Sequence, residues 1–446
     1  MIKKPIVFVV ITAIVIISVL VFSPSIFGRS AQLPASSGFG PHPQLALPDQ
    51  SFIPIIKVAK AIGWTADEKP IAADGMEVVA FARGLNHPRW LYVLPNGDVL
   101  VAETNAPTRP EDAKGIKGWF FKQFQKKAGA AIPSANRITL LRDADGDGVA
   151  EVRSVFLSDL NSPFGMALVG NVFYVANTDA LVSFPYEEGQ MEITADATKI
   201  TDLPAGSINH HWTKNLVASA DGSKLYVSVG SNSNAAENGL EQEVERAAIW
   251  EIDPLTGSHR IFASGLRNPV GMAWEPESGD LWVAVNERDE LGSDLVPDYM
   301  TAVQDGGFYG WPFSYYGDHV DTRVDPQNPQ LVAQAIVPDY ALGAHTASLG
   351  LASSLGNTLP ARFENGMFIG QHGSWNRKPI SGYKVIFVPF TGGVPSGEPM
   401  DVLTGFVKEN GEAMGRPVGV IIDKLGALLL ADDVGNIIWR VTTTSP

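Results

Sequence analysis

The chain has 446 residues, of which 45% are hydrophobic and 18% charged, so it can bury the core of one large domain or of roughly two to three ordinary ones. Its formal net charge of −15 argues against a nucleic-acid partner, because a polyanion needs a basic surface to bind. With no cysteine, the chain can form no disulfide, thiolate metal site or cysteine nucleophile, while 44 glycines and 31 prolines favour a turn-rich, all-β fold.

The N-terminus reads as a targeting segment. Lys3 and Lys4 precede an uncharged stretch, residues 5–22, whose 18 residues are at the lower limit for spanning a hydrocarbon core of about 30 Å. Positive charge before such a stretch predicts a cytoplasmic N-terminus and an exported remainder. We therefore expect a membrane-anchored protein with a signal-anchor helix over residues 1–28, a linker over 29–72 and a periplasmic or otherwise extracytoplasmic folded part. A cleaved signal peptide is the alternative, although no A-x-A-like site follows the apolar stretch.

One pattern then returns six times: a polar approach, a short turn, an apolar strand, a glycine-containing hairpin and a second apolar strand. The copies lie at 84–104, 159–178, 210–234, 265–287, 353–374 and 415–436. Glycine dipeptides between alternating apolar runs are strong hairpin signals. Because one such sheet cannot bury both faces alone, the copies predict a six-bladed β-propeller over residues 73–446, with an irregular β-sandwich as the alternative. The strand MEVVAFA (76–82) is expected to complete the last blade and close the ring.

Two long insertions, at 105–137 and 288–345, interrupt the repeat. Insertions on a propeller gather on one face and tend to carry function. The first contains an amphipathic, partly basic segment, GWFFKQFQKK (118–127), which we predict to be a helix. It either caps the propeller face or contacts a membrane surface or a partner.

The turn before the innermost strand of a blade faces the central channel, so residues at these turns should meet in one funnel. The polar residues at these positions are Asn161, His210, His211, Arg267, Asn268 and Arg416. With Lys214 and Arg377, which we expect to join them, the cations predict an anionic ligand, since arginine binds carboxylates through paired hydrogen bonds. The alternative for each arginine is a salt bridge between blades.

His211 is the candidate general base of this funnel. Imidazole titrates near neutral pH, which suits proton transfer at working pH. His210 is its neighbour in an extended segment, so the two side chains should point in opposite directions. A purely structural histidine is the alternative.

The stretch DADGDGVAE (143–151) is a candidate calcium loop. It has carboxylates at alternate positions followed by a glycine: Asp143, Asp145, Asp147 and Gly148. This order matches the start of an EF-hand loop, in which oxygen ligands and a sharp turn wrap a calcium ion. The twelfth position, where that loop has glutamate, is Ser154, and Glu151 could substitute from the ninth. A metal-free Asp/Gly hairpin is the alternative.

Motifs of the commoner enzyme classes are absent. The sequence contains no GxGxxG or P-loop pattern between a strand and a helix, no HExxH and no GxSxG. Nucleotide binding, zinc protease chemistry and serine hydrolysis therefore have no support.

Four segments resemble a known family. They are HHWTKNLVASADGSKLYVSVGSNSN (210–234), GLRNPVGMAWEPESGDLWVAVNERDELGSDLVPDY (265–299), DGGFYGWPFSYYG (305–317) and QHGSWNRKPISGYKV (371–385). They resemble the glucose/sorbosone dehydrogenases, soluble-type sugar dehydrogenases that depend on pyrroloquinoline quinone (PQQ), and most closely the sorbosone branch. The similarity covers about residues 75–445. It implies a six-bladed propeller that uses PQQ and calcium to oxidise an aldose or a sugar aldehyde and passes the electrons to an unknown acceptor.

The resemblance also implies roles for single residues. His211 matches the general base, and Arg267 with Asn268 matches the pair that contacts the quinone oxygens. The matches to the remaining cofactor-binding positions are Asn161, Arg377 and Arg416. The backbone carbonyls of Arg288 and Asp289, with Glu287 beside them, match the stretch that holds calcium. The chain departs from the family here, because the family has Gln-Gly-Pro where this sequence has Glu-Arg-Asp.

Two other functions remain open from the sequence. One is a propeller without turnover that acts as a binding or assembly module. The other is a calcium-dependent, lactonase-like hydrolase, which needs several acidic or amide side chains around one metal in the channel. The mostly basic channel entries argue against the hydrolase.

Overall fold

The computed structural model describes residues 28–51, 54–107, 123 and 126–444. The signal-anchor helix predicted over residues 1–28 lies outside this range apart from its last residue, and so does most of the helix predicted at 118–127. Within the described residues, no helix is both long enough and apolar enough to cross a membrane.

Six antiparallel sheets form the blades of a propeller, which confirms the predicted architecture. Their innermost strands contact one another in sequence, and the sixth contacts the first, so the ring is closed. The strands of each blade, from the innermost outward, are Pro88–Val93, Val99–Glu103, Arg137–Arg142 and Val152–Leu157 in blade 1; Met166–Val169, Val172–Ala176, Ala180–Pro185 and Thr198–Asp202 in blade 2; Leu216–Ala218, Leu225–Val229, Ala248–Ile252 and His259–Ser264 in blade 3; Pro269–Trp274, Leu281–Val285, Pro297–Ala302 and Tyr340–Ala344 in blade 4; Ser348–Ser353, Gly366–Gln371, Lys384–Thr391 and Met400–Thr404 in blade 5; Pro417–Ile422, Leu428–Asp432, Ile437–Thr443 and Met76–Arg83 in blade 6.

The last blade is completed by the first long strand of the chain, as predicted. Met76–Arg83 pairs antiparallel with Ile437–Thr443, with Met76 opposite Thr443 and Arg83 opposite Ile437. The ring is therefore closed by hydrogen bonds between its two ends as well as by packing.

The described residues between 28 and 75 form a strap against blades 4, 5 and 6. Phe39–Gly40 adds a fifth strand to blade 4, and Ile71–Ala72 extends blade 5. Between them, Lys60–Ala61 pairs in parallel with Glu412–Ala413 before blade 6. The segment expected to be a linker is thus paired with the propeller.

The remaining elements whose bounds lie wholly within the described residues are short. They comprise the two-residue strands Ser314–Tyr315, His319–Val320 and Val394–Pro395, the α-helix Pro329–Val332, and the 3₁₀-helices Ala35–Gly38, Leu240–Glu243 and Ala361–Phe363. Most of the insertion after the fourth repeat copy is therefore loop, together with the third and fourth strands of blade 4.

The core lies between neighbouring blades. All five residues of the second strands Val99–Glu103, Leu225–Val229, Leu281–Val285 and Leu428–Asp432 are buried. These strands read as nearly continuous apolar runs because both of their faces pack against neighbouring sheets.

The blade topology also sorts the loops between the two ends of the channel. Because neighbouring strands are antiparallel, the start of each innermost strand and the end of each second strand lie at the same end, which we call the site face. Loops between third and fourth strands lie at the opposite end.

Candidate active site

His211 lies at the site face, just before the innermost strand of blade 3. Its Nδ1 atom is 2.9 Å from both the carbonyl oxygen and the hydroxyl oxygen of Ser231. The carbonyl can only accept, and the Ser231 hydroxyl already donates to the carbonyl of Ser233 at 2.7 Å. In the neutral ring the proton therefore sits on Nδ1, and Nε2 carries the lone pair that a general base needs.

Asn268 lies directly beside His211, with Gly230 between them. A Cβ atom at Gly230 would be 2.5 Å from both the His211 Cβ and the Asn268 Oδ1. Asn268 is buried, and its Oδ1 accepts no hydrogen bond from the described residues. A buried amide oxygen without a donor costs roughly 1–3 kcal/mol, so this position suits a ligand that brings a hydroxyl or N–H group.

Arg267 supports the loop after the second strand of blade 4. Its guanidinium donates to the carbonyl of Glu287 at 2.6 Å and to the side chain of Asn234 at 3.0 Å, and it pairs with the Asp289 carboxylate at 3.3 Å. All these partners belong to the protein, so the structure shows Arg267 holding the loop and gives it no unused N–H group. The quinone contact expected of it stays a prediction.

The candidate calcium stretch at residues 287–289 is buried at Glu287 and Arg288, and hydrogen bonds within the protein already occupy the carbonyls of Glu287 and Asp289. Burial raises the pKa of Glu287 to about 7, and the Arg288 side chain is turned to Asp321, with 2.6 Å between Nε and Oδ2. The Asp289 carbonyl accepts hydrogen bonds from Arg288 and Asn234, both at 3.1 Å. A calcium ion on that carbonyl would have to displace one of them, so the Asp289 carbonyl as arranged does not fit calcium.

The carboxylate of Asp289 lies between two basic side chains. Its Oδ1 lies 3.2 Å from His345 Nδ1, opposite the Arg267 contact. Burial opposes ionisation of Asp289, but the hydrogen bond from His345 and the charge of Arg267 hold its pKa below the usual value. The carboxylate is therefore engaged on both sides within the protein.

A second cluster, which the sequence analysis did not identify, is centred on Asp433 at the end of the second strand of blade 6. Its Oδ2 accepts hydrogen bonds from Arg89 at 2.8 Å and His372 at 2.9 Å, and His87 Nε2 lies 3.5 Å away. Burial opposes ionisation of Asp433, but these neighbours hold its pKa well below the usual range. Blades 1, 5 and 6 thus meet at one ionised carboxylate.

This cluster lies next to the histidine site. The guanidinium of Arg89 is 5.9 Å from the ring centre of Trp212, the residue after His211. The side chains of Arg89 and His372 keep 12% and 14% of their surface exposed. They are therefore within reach of a ligand bound at the site face.

Arg416 joins the cluster from the start of the innermost strand of blade 6. It donates to the Tyr383 hydroxyl at 2.8 Å and lies 5.1 Å from the centre of the same ring. The Nε atoms of Arg416 and Arg89 are buried and have no acceptor among the described residues. Two unused guanidinium donors at one end of the channel fit an anionic ligand.

His210 lies beside His211, with 5.6 Å between their ring centres, so the prediction that the two side chains point in opposite directions is wrong. Arg377, also expected in the funnel, lies elsewhere. Arg377 is turned to the carbonyl of Pro379 at 2.8 Å and to Asp294 at 3.5 Å, next to the strap. Asn161 is exposed.

The expectation that Lys214 joins the funnel is wrong. Lys214 is fully buried, donates to the Trp212 carbonyl at 3.3 Å, and has its pKa lowered well below the usual value by burial. It anchors the turn that carries His211.

The acidic hairpin at residues 143–151 does bring its carboxylates together. Asp143, Asp145, Asp147 and Glu151 place one oxygen each within 4.8 Å of the others. Asp143 also accepts backbone N–H bonds from Gly146 at 2.7 Å and Gly148 at 2.9 Å, so the turn is stabilised by hydrogen bonds of its own. The hairpin joins the third and fourth strands of blade 1, which places it at the end opposite the site face.

The sequence did contain a signal for the missed arginine. HPRW (87–90), LRNP (266–269) and GRPV (415–418) each place an arginine within two residues of the proline that begins an innermost strand. Arg89 is thus the blade 1 counterpart of Arg267 and Arg416. No comparable signal marks Asp433, which with Asp432 follows an apolar run at the end of a buried strand.

Comparison with known proteins gives a family match and distant relatives. The chain matches the family model described as TrAA12-like over residues 133–303 and 321–444. An uncharacterised protein of Borreliella burgdorferi is 28% identical over 300 residues, covering 63% of this chain and 76% of that protein.

Two of the relatives are named as dehydrogenases. The pyrroloquinoline quinone-dependent pyranose dehydrogenase of Coprinopsis cinerea is 23% identical over 362 residues, covering 71% of this chain and 44% of that protein. The aldose sugar dehydrogenase of Escherichia coli is 25% identical over 202 residues, covering 41% and 52%. This chain thus matches about half the length of these two enzymes.

Solved structures share the fold. The holo form of the Coprinopsis cinerea pyranose dehydrogenase PQQ domain superimposes with a TM-score of 0.68 at 20% identity, covering 86% of this chain and all (100%) of that one. The calcium structure of the Trichoderma reesei enzyme of carbohydrate-active family AA12 gives 0.68 at 19% identity, covering 87% and 99%. The resemblance to PQQ-dependent sugar dehydrogenases is confirmed, whereas the sorbosone branch within them is not distinguished.

Proposed function

The chain belongs to the TrAA12-like family, and from this premise we propose that it is a PQQ-dependent oxidoreductase that oxidises an aldose or a sugar aldehyde. The observation that carries the proposal is a pairing at one end of the channel. An oriented imidazole, His211, stands beside a cluster in which Arg89 and Arg416 keep unused donors. A base next to an anion-binding cluster suits oxidation of a sugar by an acidic cofactor.

The residues at the site face fit PQQ better than they fit calcium. PQQ carries three carboxylates and, when bound, supplies the acceptor for the hydride that leaves the sugar. Arg89 and Arg416 are the side chains we propose for the carboxylates, and Asn268 has an unsatisfied amide oxygen beside the base. Arg377 and Asn161 are weaker candidates, because the first is paired with Asp294 and the second is exposed.

His211 has a defined part in the proposed reaction. Its Nε2 accepts the proton of the sugar hydroxyl, while Ser231 holds the Nδ1 proton in place. The imidazolium that forms stays hydrogen-bonded to the Ser231 carbonyl, which favours the positive charge.

We also propose a calcium ion, a sorbosone-like sugar, an electron acceptor and a membrane anchor for this protein. The hairpin at residues 143–151 supports a structural calcium ion away from the chemistry. The sorbosone preference and the extracytoplasmic location rest on the sequence alone.

The lactonase-like hydrolase and the binding module would each require a different set of residues in the channel. A lactonase-like metal site needs acidic side chains around the channel axis, yet the Asp433 cluster consists of one carboxylate and several basic groups. A binding module without turnover needs no oriented base. The orientation of His211 by Ser231 therefore favours the dehydrogenase over both.

The deciding experiment starts from protein without cofactor. PQQ binding is measured by calorimetry with and without calcium, and turnover of a panel of aldoses is followed with an artificial electron-accepting dye. His211→Asn should lower kcat about 10²–10⁴-fold, the usual contribution of a general base, while PQQ affinity is retained. Leu355→Ala, at an exposed turn of blade 5, is the control and should behave as wild type.

The outcomes separate the hypotheses. Turnover that needs PQQ and collapses in the histidine variant establishes the enzyme and its base together. PQQ binding without oxidation of any sugar would leave the cationic cluster standing and refute the substrate class. If PQQ does not bind, the binding-module function takes its place.

A further inference from the structure

Trp375 differs from every other tryptophan that the structure describes. Its side chain is exposed, at 38% of its surface, whereas the other described tryptophans are buried or half-buried. It lies in the loop between the second and third strands of blade 5, three residues after His372. This loop belongs to the site face, so the exposed indole is at the same end of the propeller as the candidate active site.

Hydrogen bonds connect this loop directly to the cationic cluster. The hydroxyl of Tyr383 accepts from Arg416 at 2.8 Å and donates to the carbonyl of Ser374 at 3.0 Å. Ser374 immediately precedes Trp375. Two hydrogen bonds therefore separate an arginine of the site from the backbone that carries the indole.

The loop is fixed on three sides. Ser374 and Ser381 close it with two hydrogen bonds of 2.9 Å. The side chain of Asn376 accepts from the backbone of Glu290 at 2.7 Å, and the Trp375 carbonyl accepts from the strap residue Lys57 at 2.8 Å. The indole is thus exposed although its backbone is firmly held, which is how a binding surface is presented.

The exposed ring has the chemistry of a sugar platform. A pyranose ring offers C–H groups on its flat faces and hydroxyls at its rim, and an indole offers a flat apolar face with one N–H donor at its edge. Within the described part of the chain, the Trp375 Nε1 makes no hydrogen bond, so it is available to a hydroxyl. A single indole is small for a protein interface, which buries about 800 Å² per partner, but it matches one sugar ring.

We propose that Trp375 forms a second saccharide subsite at the mouth of the active site, where it packs against the pyranose ring next to the one being oxidised. The inference rests on the proposed function, because it assigns the neighbouring ring to the site of His211. It names the substrate class as oligosaccharides with a free reducing end. Monosaccharides would fill the inner position only.

The test compares sugars that share a reducing glucose unit: glucose, maltose and cellobiose. In the wild-type holoenzyme, a disaccharide that reaches the subsite should have a lower KM than glucose. Trp375→Ala should raise that KM about tenfold and leave the kinetics on glucose unchanged. Trp375→Phe should recover most of the loss, because it keeps an aromatic face. Leu355→Ala, whose exposed side chain is in blade 5 at the opposite end of the channel, is the matched control.

A binding measurement tests the Trp375 subsite independently of the proposed dehydrogenase activity. Calorimetric titration of cofactor-free wild type and Trp375→Ala with the disaccharides does not depend on turnover. If no sugar is oxidised but a disaccharide binds the wild type and not the variant, the proposed function fails and the subsite stands.

Three results would overturn the subsite. Disaccharides and glucose could show the same KM and the same binding, or Trp375→Ala could change both equally. Its only effect could instead be on the KM of the electron acceptor, which would make the indole an acceptor contact.

Discussion

At the scale of single residues, the candidate active site depends on close approach between two blades. His211 belongs to blade 3 and Asn268 to blade 4, and both touch the space that a side chain at Gly230 would occupy. Gly230 has no left-handed backbone angle, so its lack of a side chain, rather than its flexibility, is what the site uses. The glycine therefore sets the distance between the proposed base and the neighbouring amide.

Gly230→Ala tests this geometry. The added methyl group would lie 2.5 Å from both neighbours, so His211 and Asn268 must move apart. We expect turnover to fall at least tenfold, since displacements of about 1 Å in a positioned site carry such costs. Steady-state kinetics of the reconstituted enzyme provide the measurement.

Gly38→Ala is the matched control for this variant. A Cβ at Gly38 meets its nearest atoms at 3.5 Å, an ordinary contact, so activity and stability should stay near those of wild type. Wild-type turnover in Gly230→Ala would show that the base and the amide do not act as a fixed pair.

The sequence predicted the histidine site but not the Asp433 cluster with Arg89, and the difference has a physical reason. His211 and Asn268 each stand in a repeated turn whose place in the fold follows from the repeat. The Asp433 cluster forms from blades 1, 5 and 6, and its carboxylate lies at the end of an apolar run that reads as core. Whether such a carboxylate meets arginines depends on contacts between blades that are far apart in the sequence, and local sequence patterns do not encode these contacts.

At the scale of elements, the strap is tied to the site through Trp64. Its indole donates to Asp432 at 2.6 Å and lies edge-on to Phe406 and Trp439, at 5.6 and 5.4 Å between ring centres. The same Asp432 accepts from the backbone of Arg416 at 2.8 Å. The strap was not predicted because its strands are two residues long and show no periodicity, whereas the blades have hairpin signals and alternating apolar residues.

Trp64→Ala should therefore destabilise the protein by about 3 kcal/mol, near the lower end for loss of a packed aromatic side chain. Trp64→Phe keeps the ring contacts and loses one hydrogen bond, so it should cost about 1 kcal/mol. Urea unfolding followed by circular dichroism measures both. Leu47→Ala is the control, because Leu47 belongs to the same strap and is 90% exposed. Equal stability of Trp64→Ala and Leu47→Ala would show that the strap does not depend on the indole.

Blade 1 contains an ion pair whose contribution should depend on pH. The carboxylate of Glu103 is fully buried and accepts from Arg137 Nε at 2.9 Å and Nη2 at 2.8 Å. Burial opposes its ionisation, but the hydrogen bonds from Arg137 and Thr139 hold its pKa below the ordinary 4.5. A lowered pKa means that the folded state binds the proton more weakly than the unfolded state. The stabilisation is therefore present above about pH 4.5 and is lost as the pH falls through the folded-state pKa.

Glu103→Gln should accordingly cost about 3 kcal/mol at pH 7, where it leaves Arg137 without its charged partner. The difference from wild type should shrink when unfolding is measured below pH 4.5. Glu192→Gln is the control, since Glu192 is exposed and makes no hydrogen bond to the described residues. A difference that stays constant with pH would show that the pair contributes by packing alone.

At the scale of the whole molecule, stability depends on a ring joined from its two ends. Met76–Arg83 supplies the outer strand of blade 6, and without it the edge of Ile437–Thr443 would be unpaired. That strand carries the buried residues Ile437, Ile438 and Trp439. An open, apolar edge of this kind is a template for pairing with another chain.

Two shortened proteins and one permuted protein test the closure. A chain that begins at residue 73 keeps the closing strand and loses the strap, so it should fold as a less stable monomer. A chain that begins at residue 84 should aggregate.

The strand register shows how a permuted chain could regain the closing strand, because Met76 lies opposite Thr443 and the Thr444 N–H donates to the Gly75 carbonyl at 3.0 Å. Residues 76–83, joined after residue 444 by a short glycine-containing turn, should form a hairpin with the last strand and restore a monomer by size-exclusion chromatography and circular dichroism. Aggregation of the permuted chain, with a folded chain from residue 73, would show that the closing strand needs its own N-terminal connection and that strand pairing alone does not close the ring.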